Sequence, residues 1–165
     1  MKRIPIICIV GRSKSGKTLF IERLIPEIKK RGFRIATMKH DIHDRFEMDK
    51  PGKDTWRHKK AGSMVSIISS PKRIGMIMDV DHDHDPEEIL RYIDKERIDI
   101  VIAEGYKGSS HPKIEILKDK EDIMCRDDPN LIAIIADQRI DIHIPQFKKN
   151  QIKEVAEFII EKLGL

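Results

Sequence analysis

The run Gly11-Arg12-Ser13-Lys14-Ser15-Gly16-Lys17-Thr18 satisfies the pattern G-x-x-x-x-G-K-[ST] and directly follows the apolar stretch Ile4–Val10. A buried-type strand feeding such a loop, with a helix leaving it, is the context in which the pattern binds phosphate. Gly11 and Gly16 permit backbone conformations in which successive N–H groups converge on phosphate oxygens. The free N–H groups at the start of the helix add partial positive charge. Lys17 has the reach to meet β- and γ-phosphates, and Thr18 offers a hydroxyl to Mg²⁺. The chemistry is the binding of a nucleoside triphosphate as its magnesium complex.

Two other groups follow expected strands: Lys39-His40-Asp41-Ile42-His43-Asp44 and Glu104-Gly105-Tyr106-Lys107. Ligands of a parallel sheet collect beyond the carboxyl ends of its strands, so this topology gathers both groups and the glycine loop at one site. Glu104 ends an apolar strand, where a carboxylate can hold Mg²⁺ or its waters, in preference to serving as a solvated strand-end acid. Asp41 is a second acidic candidate, for a metal-bound water or for orienting an attacking one. The candidate catalytic set is thus Lys17, Asp41 and Glu104.

His40 and His43 are too few for a zinc centre and read as loop polarity. The alternation Asp79-Val80-Asp81-His82-Asp83-His84-Asp85 resembles a metal-binding tract, but a solvated loop whose last residue, Asp85, caps a helix is the preferred reading. The guanine-reading sequence N-K-x-D is absent. Asp137, after the strand Leu131–Ile135, is the position from which a carboxylate can accept hydrogen bonds from a guanine edge.

Lys17 to Arg31 is expected to be helical, with Leu24, Ile25 and Ile28 on an apolar face, basic residues at its carboxyl end, Gly32 as its stop and Pro26 bending it. Phe33–Met38 completes a β-α-β unit. Lys39 to Ala61 is a long polar connection. Ser63–Ser69 and Arg73–Met78 form a β-hairpin inserted into the parallel architecture. A helix is expected from Pro86 to about Glu96, strands at Ile98–Gly105, Lys113–Leu117 and Leu131–Ala136, and a closing helix at Gln151–Leu163. The fold class is α/β, P-loop NTPase-like: a mostly parallel sheet flanked by helices, with residues 1–165 as one nucleotide-binding domain.

The 165 residues carry a net charge of +4, with 36% charged side chains and few aromatics. That balance suits an anionic ligand and argues against nucleic acid as a partner. Cys8 and Cys125 lack metal-type spacing, and Cys8 reads as a buried structural thiol. No apolar run approaches the ~18 residues of a membrane span, and the start reads as a strand rather than a cleavable signal. A cytoplasmic protein is expected.

The ordered set G-R-S-K-S-G-K-T, K-H-D-I-H, G-K-D-T-W-R-H-K-K-A-G (Gly52–Gly62), A-E-G-Y-K (Ala103–Lys107), H-P-K-I-E (His111–Glu115) and the late I-A-D resembles the molybdopterin-guanine dinucleotide biosynthesis adapter protein B (MobB) family. The resemblance covers residues 6 to about 138. It implies a GTP-binding homodimer with slow intrinsic GTPase activity that assists a molybdenum cofactor guanylyltransferase in joining GMP to molybdopterin, and that meets molybdopterin-bearing proteins. It further implies that the hairpin Ser63–Met78 pairs subunits, that Asp54, Trp56, Arg57 and Lys60 lie near the nucleotide or the dimer interface, and that Lys107 and His111 contact pterin phosphate or the partner. The K-G-G-x-G-K-T loop of some related dimeric NTPases is not matched, because Arg12 holds its second position.

The alternative is a P-loop small-molecule or nucleotide kinase. The polar segment carries Arg45 and Arg57 but no arginine-rich lid, which disfavours it.

Overall fold

The computed structural model describes residues 3–43, 49–118 and 123–165. Its elements, in chain order, are β1 (Ile6–Val10), α1 (Lys17–Lys30), β2 (Ile35–Lys39), α2 (Asp54–Lys60), β3 (Val65–Ser70), β4 (Arg73–Met78), α3 (Pro86–Ile89), β5 (Ile100–Glu104), β6 (Lys113–Ile116), β7 (Leu131–Ile135), β8 (Gln146–Phe147) and α4 (Ile152–Leu163). They form two compact units, Met1–His40 with Asp85–Leu165, and Asp41–His84.

The first unit is built on a six-stranded sheet in the order β2-β5-β1-β6-β7-β8. Every neighbouring pair is parallel. A parallel strand covered on both faces carries apolar side chains in both directions, and β1 is buried at all of its positions. Ile7 and Ile9 join a core with Leu24 and Ile28 of α1 and Val155 and Ile159 of α4. Ile6, Cys8 and Val10 enter a second core with Val101, Ala103, Leu117 and Cys125. Burial raises the Cys8 thiol above its ordinary pKa, which suits an inert core group.

Helix α1 continues through Pro26. It closes as its sequence predicts, with Lys29 and Lys30 in the last turn and Gly32, at φ +91°, donating to the Lys29 carbonyl at 3.0 Å.

In the second unit, β3 and β4 make an antiparallel two-stranded sheet of their own, pairing Val65 with Met78 through Ser70 with Arg73. The polar segment before them is not all loop: Asp54 in the first turn and Arg57, His58, Lys59 and Lys60 in the last complement the dipole of α2. Lys59 ties the helix to the hairpin by donating to the carbonyls of Ser63 and Met64, at 2.7 and 3.2 Å, and to the Asp79 carboxylate.

The helix expected from Pro86 to about Glu96 is broken. Asp85 and Glu88 form a reciprocal capping box that starts α3, but α-geometry ends at Ile89 and a 3₁₀ turn follows at Leu90–Tyr92. Ile93 is extended, and the Asp94 carboxylate accepts from Glu96 N at 3.1 Å to begin a separate 3₁₀ turn. A local acceptor there competes with continuation of the helix. The short edge strand β8 was not expected from the sequence.

Candidate nucleotide site

Gly11 leaves the carboxyl end of β1 with φ +148°. A Cβ at this position would stand 2.5 Å from the Ile116 carbonyl oxygen and 2.8 Å from Ser15 Oγ. The loop backbone therefore lies against the end of β6, and only glycine fits. Lys14 (φ +61°) and Gly16 (φ +95°) are also left-handed. Left-handed residues interleaved in a loop are the backbone pattern from which an anion cradle of successive N–H groups is built. Gly16 is the N-cap of α1 and supplies no side-chain acceptor, and the first turn holds no acidic residue. No side chain of the helix itself offsets the positive end of its dipole.

Arg12, Ser13 and Lys14 are exposed, whereas Ser15 is buried at 4% exposure. Among the described residues, its Oγ is a buried side-chain atom without a hydrogen-bond partner. A buried hydroxyl so placed costs about 1–3 kcal/mol unless a further group satisfies it, and an anion in the loop would do so. The Lys17 ammonium folds back over the loop, donating to the carbonyls of Gly11 at 2.9 Å and Arg12 at 2.8 Å. Thr18 Oγ1 donates to the Glu104 carboxylate, 3.2 Å from Oε2 and 3.3 Å from Oε1. Parallel pairing of β1 with β5 produces that meeting, setting Ile9 opposite Glu104. A hydroxyl and a carboxylate converging beside a phosphate loop are oxygen donors of the kind Mg²⁺ takes. The residues present fit a triphosphate with its magnesium ion.

The turn after Glu104 is held tightly. Gly105 (φ +96°) and Tyr106 (φ +56°) are consecutively left-handed. Any Cβ on Gly105 would lie 3.2 Å from the His40 Cβ. The His40 and Tyr106 rings stack with centroids 4.6 Å apart and planes 17° apart, and His40 N donates to the Glu104 carbonyl at 3.0 Å. His40 thus buttresses the turn that presents Glu104.

Asp41 lies in the second unit, where its carboxylate accepts from His43 N at 3.1 Å. Asp44 and Arg45 lie outside the described residues. Asp137 is exposed after β7, accepting from Lys149 N at 3.1 Å and pairing with Lys149 Nζ at 3.7 Å. Gln146 of β8 braces the same loop: it accepts from Ile140 N at 3.0 Å and donates to the Gln138 carbonyl at 2.5 Å. Lys107 is exposed. His111 lines a small cavity with Arg3, Ile4 and Ile6, at the amino ends of β1 and β6 and away from the phosphate loop. Burial lowers its imidazole pKa below the ordinary value.

The residues missed from sequence are charges inside β6. Lys113 is fully buried and pairs with Asp128 at 2.9 Å, also donating to the carbonyls of Ser109 and, at 3.3 Å, His111. Glu115, also buried, accepts from Met124 N at 2.9 Å and Cys125 N at 3.0 Å. Their signal was present in Lys113-Ile114-Glu115-Ile116, where charges occupy one face of an otherwise apolar strand that both neighbours cover.

A parallel sheet whose central strand runs through a glycine loop into a helix, with Lys17, Thr18 and Glu104 grouped there, places this chain in the P-loop class of α/β proteins. Residues 6–137 match the family model of molybdopterin guanine dinucleotide synthesis protein B, and the chain belongs to that family. It is 32% identical over 162 residues to the molybdopterin-guanine dinucleotide biosynthesis adapter protein of Haemophilus influenzae, covering 95% of this chain and 88% of that protein. The protein of the same name from Escherichia coli is 28% identical, covering 96% of this chain and 93% of the relative. The crystal structure of Bacillus subtilis MobB superposes with a TM-score of 0.80 at 27% identity, over 97% of this chain and 98% of that one.

Proposed function

We propose that this chain is a GTP-binding adapter in molybdopterin guanine dinucleotide synthesis, assisting the attachment of GMP to molybdopterin. Membership of the family and the adapter relatives support the pathway. The observation that carries the nucleotide part is the Glu104 carboxylate set against the Thr18 hydroxyl beside the Lys17 loop. Thr18 and Glu104 would hold Mg²⁺, which when bound offsets the charge of the phosphates. Lys17 would exchange its loop carbonyls for phosphate oxygens, and the loop N–H groups with Ser15 Oγ would fix the remainder. Asp41 follows directly on His40 and is assigned to orienting a water for slow hydrolysis. Asp137 is assigned to the guanine edge.

The partners would be a guanylyltransferase and the pterin-bearing proteins it serves. A second copy of the chain would pair through the hairpin, where strand register puts Val65, Ile67, Ile74 and Met76 on one face, with Ile67 and Ile74 59% and 77% exposed. Contiguous exposed apolar surface of this kind marks an interface.

Calorimetric titration of the full chain with GTP and ATP in Mg²⁺ tests the reading, and tighter binding of GTP is expected. Preference for ATP would overturn it in favour of a kinase. Guanylylation of molybdopterin by the transferase should rise, or need less GTP, when this chain is added.

A further inference from the structure

Leading out of the hairpin, Asp81, His82 and His84 each offer a ligand atom, and these atoms lie within 4.8 Å of one another. We propose that this cluster is a binding site for a divalent transition-metal ion of the zinc or nickel type, separate from the magnesium site of the phosphate loop. Two imidazoles and a carboxylate are the donor set borderline-soft divalent ions prefer, and Mg²⁺ does not.

The geometry favours ligation beyond mere proximity. His82 Nδ1 lies 2.6 Å from the Asp81 carboxylate, and His84 Nδ1 lies 3.1 Å from the His82 backbone carbonyl. Engaging Nδ1 with an oxygen acceptor fixes the tautomer that presents Nε2 as the basic nitrogen, which is how metal-bound histidines are oriented. The two rings lie together, centroids 4.2 Å apart and planes 32° apart. The site is also anchored: Lys59 pairs with Asp79 two residues upstream, and the Asp85–Glu88 capping box fixes the chain directly downstream. Asp81 and His82 are exposed, so an ion can enter from solvent. Mutual repulsion among Asp79, Asp81, Asp83 and Asp85 is relieved by a bound cation.

The test is titration of the full chain, without an affinity tag, with Zn²⁺ and with Ni²⁺, read by calorimetry and by metal content after dialysis. One ion per chain is expected. His82→Ala, His84→Ala and Asp81→Asn should each weaken binding about tenfold or more, because each removes or weakens one of the three donors. GTP affinity should stay unchanged in all three variants, showing that they remain folded. Failure of the wild-type chain to take up a stoichiometric ion would overturn the site. So would unchanged affinity in His82→Ala and His84→Ala, which would place the ion elsewhere.

Discussion

At the scale of single residues, Lys17 and Thr18 do different work although they are neighbours. Lys17 spends its donors on two loop carbonyls, so exchanging them for phosphate oxygens loses little hydrogen bonding and gains charge pairing. Replacing Lys17 by Ala should abolish measurable triphosphate binding, losing at least a hundredfold in calorimetric affinity, while the circular dichroism spectrum and melting temperature stay near those of the parent. Glu104→Gln should instead lower the dependence of nucleotide affinity on Mg²⁺ concentration, because a carbonyl replaces the charged oxygen that faces Thr18. Unchanged Mg²⁺ dependence would remove Glu104 from the metal's surroundings. These two residues were legible in the sequence because spacing and strand-end position specify them. Ser15 was legible only as a loop member: its spacing in the loop does not report that it is buried, at 4% exposure.

At the scale of elements, β6 shows what residue patterning hides. Lys113 to Ile116 looks like an alternating, half-exposed strand, yet it is buried throughout. Both charges are satisfied by segments that precede and follow the strand, Ser109–His111 and Met124–Asp128. No periodicity within the strand could report those partners. The Lys113→Ala change leaves Asp128 Oδ2 and two carbonyls without the lysine, and should cost about 3 kcal/mol, seen as a lower urea midpoint.

The same pair sets a pH dependence. The hydrogen bond from Lys113 holds the Asp128 carboxyl below its ordinary pKa of 3.8. A depressed folded-state pKa contributes stability above the unfolded value, and that contribution is lost as pH falls through the folded one. Parent and Asp128→Asn should therefore differ most in stability at neutral pH and converge below about pH 3.8. A gap that persists undiminished at lower pH would assign the loss to packing.

The helices were read with unequal success for a related reason. α1 and α4 carry long apolar faces that pack in one core, so their periodicity dictates them. The segment after Pro86 has the right residues for a helix, but Asp94 supplies a competing local acceptor.

At the scale of the whole molecule, the excursion Asp41–His84 is a compact unit in its own right. The sequence announced its hairpin but gave α2 only as part of a long polar connection. Its β3–β4 sheet exposes Ile67 and Ile74 on one face and Ile68 on the other. Ile67→Lys and Ile74→Lys together should shift the proposed dimer to monomer in light scattering, with GTP affinity per chain retained by the phosphate loop. A parent that is monomeric at tens of micromolar would refute the pairing.

The strand order also bears on how the protein comes into being at the ribosome. β5 lies between β1 and β2, so the opening β-α-β segment has no direct strand pairing to make when it first emerges. The unit Asp41–His84, rich in local antiparallel pairs, can close early, because short-range contacts cost little loop entropy. The phosphate loop packs against the end of β6, where Gly11 passes close to the Ile116 carbonyl, so its surroundings are complete only once β6 is in place. During synthesis, nucleotide capture is therefore expected only after β6 has cleared the ribosome, when most of the chain is made. GTP supplied to a translating extract should protect only nascent chains that extend beyond β6 from proteolysis.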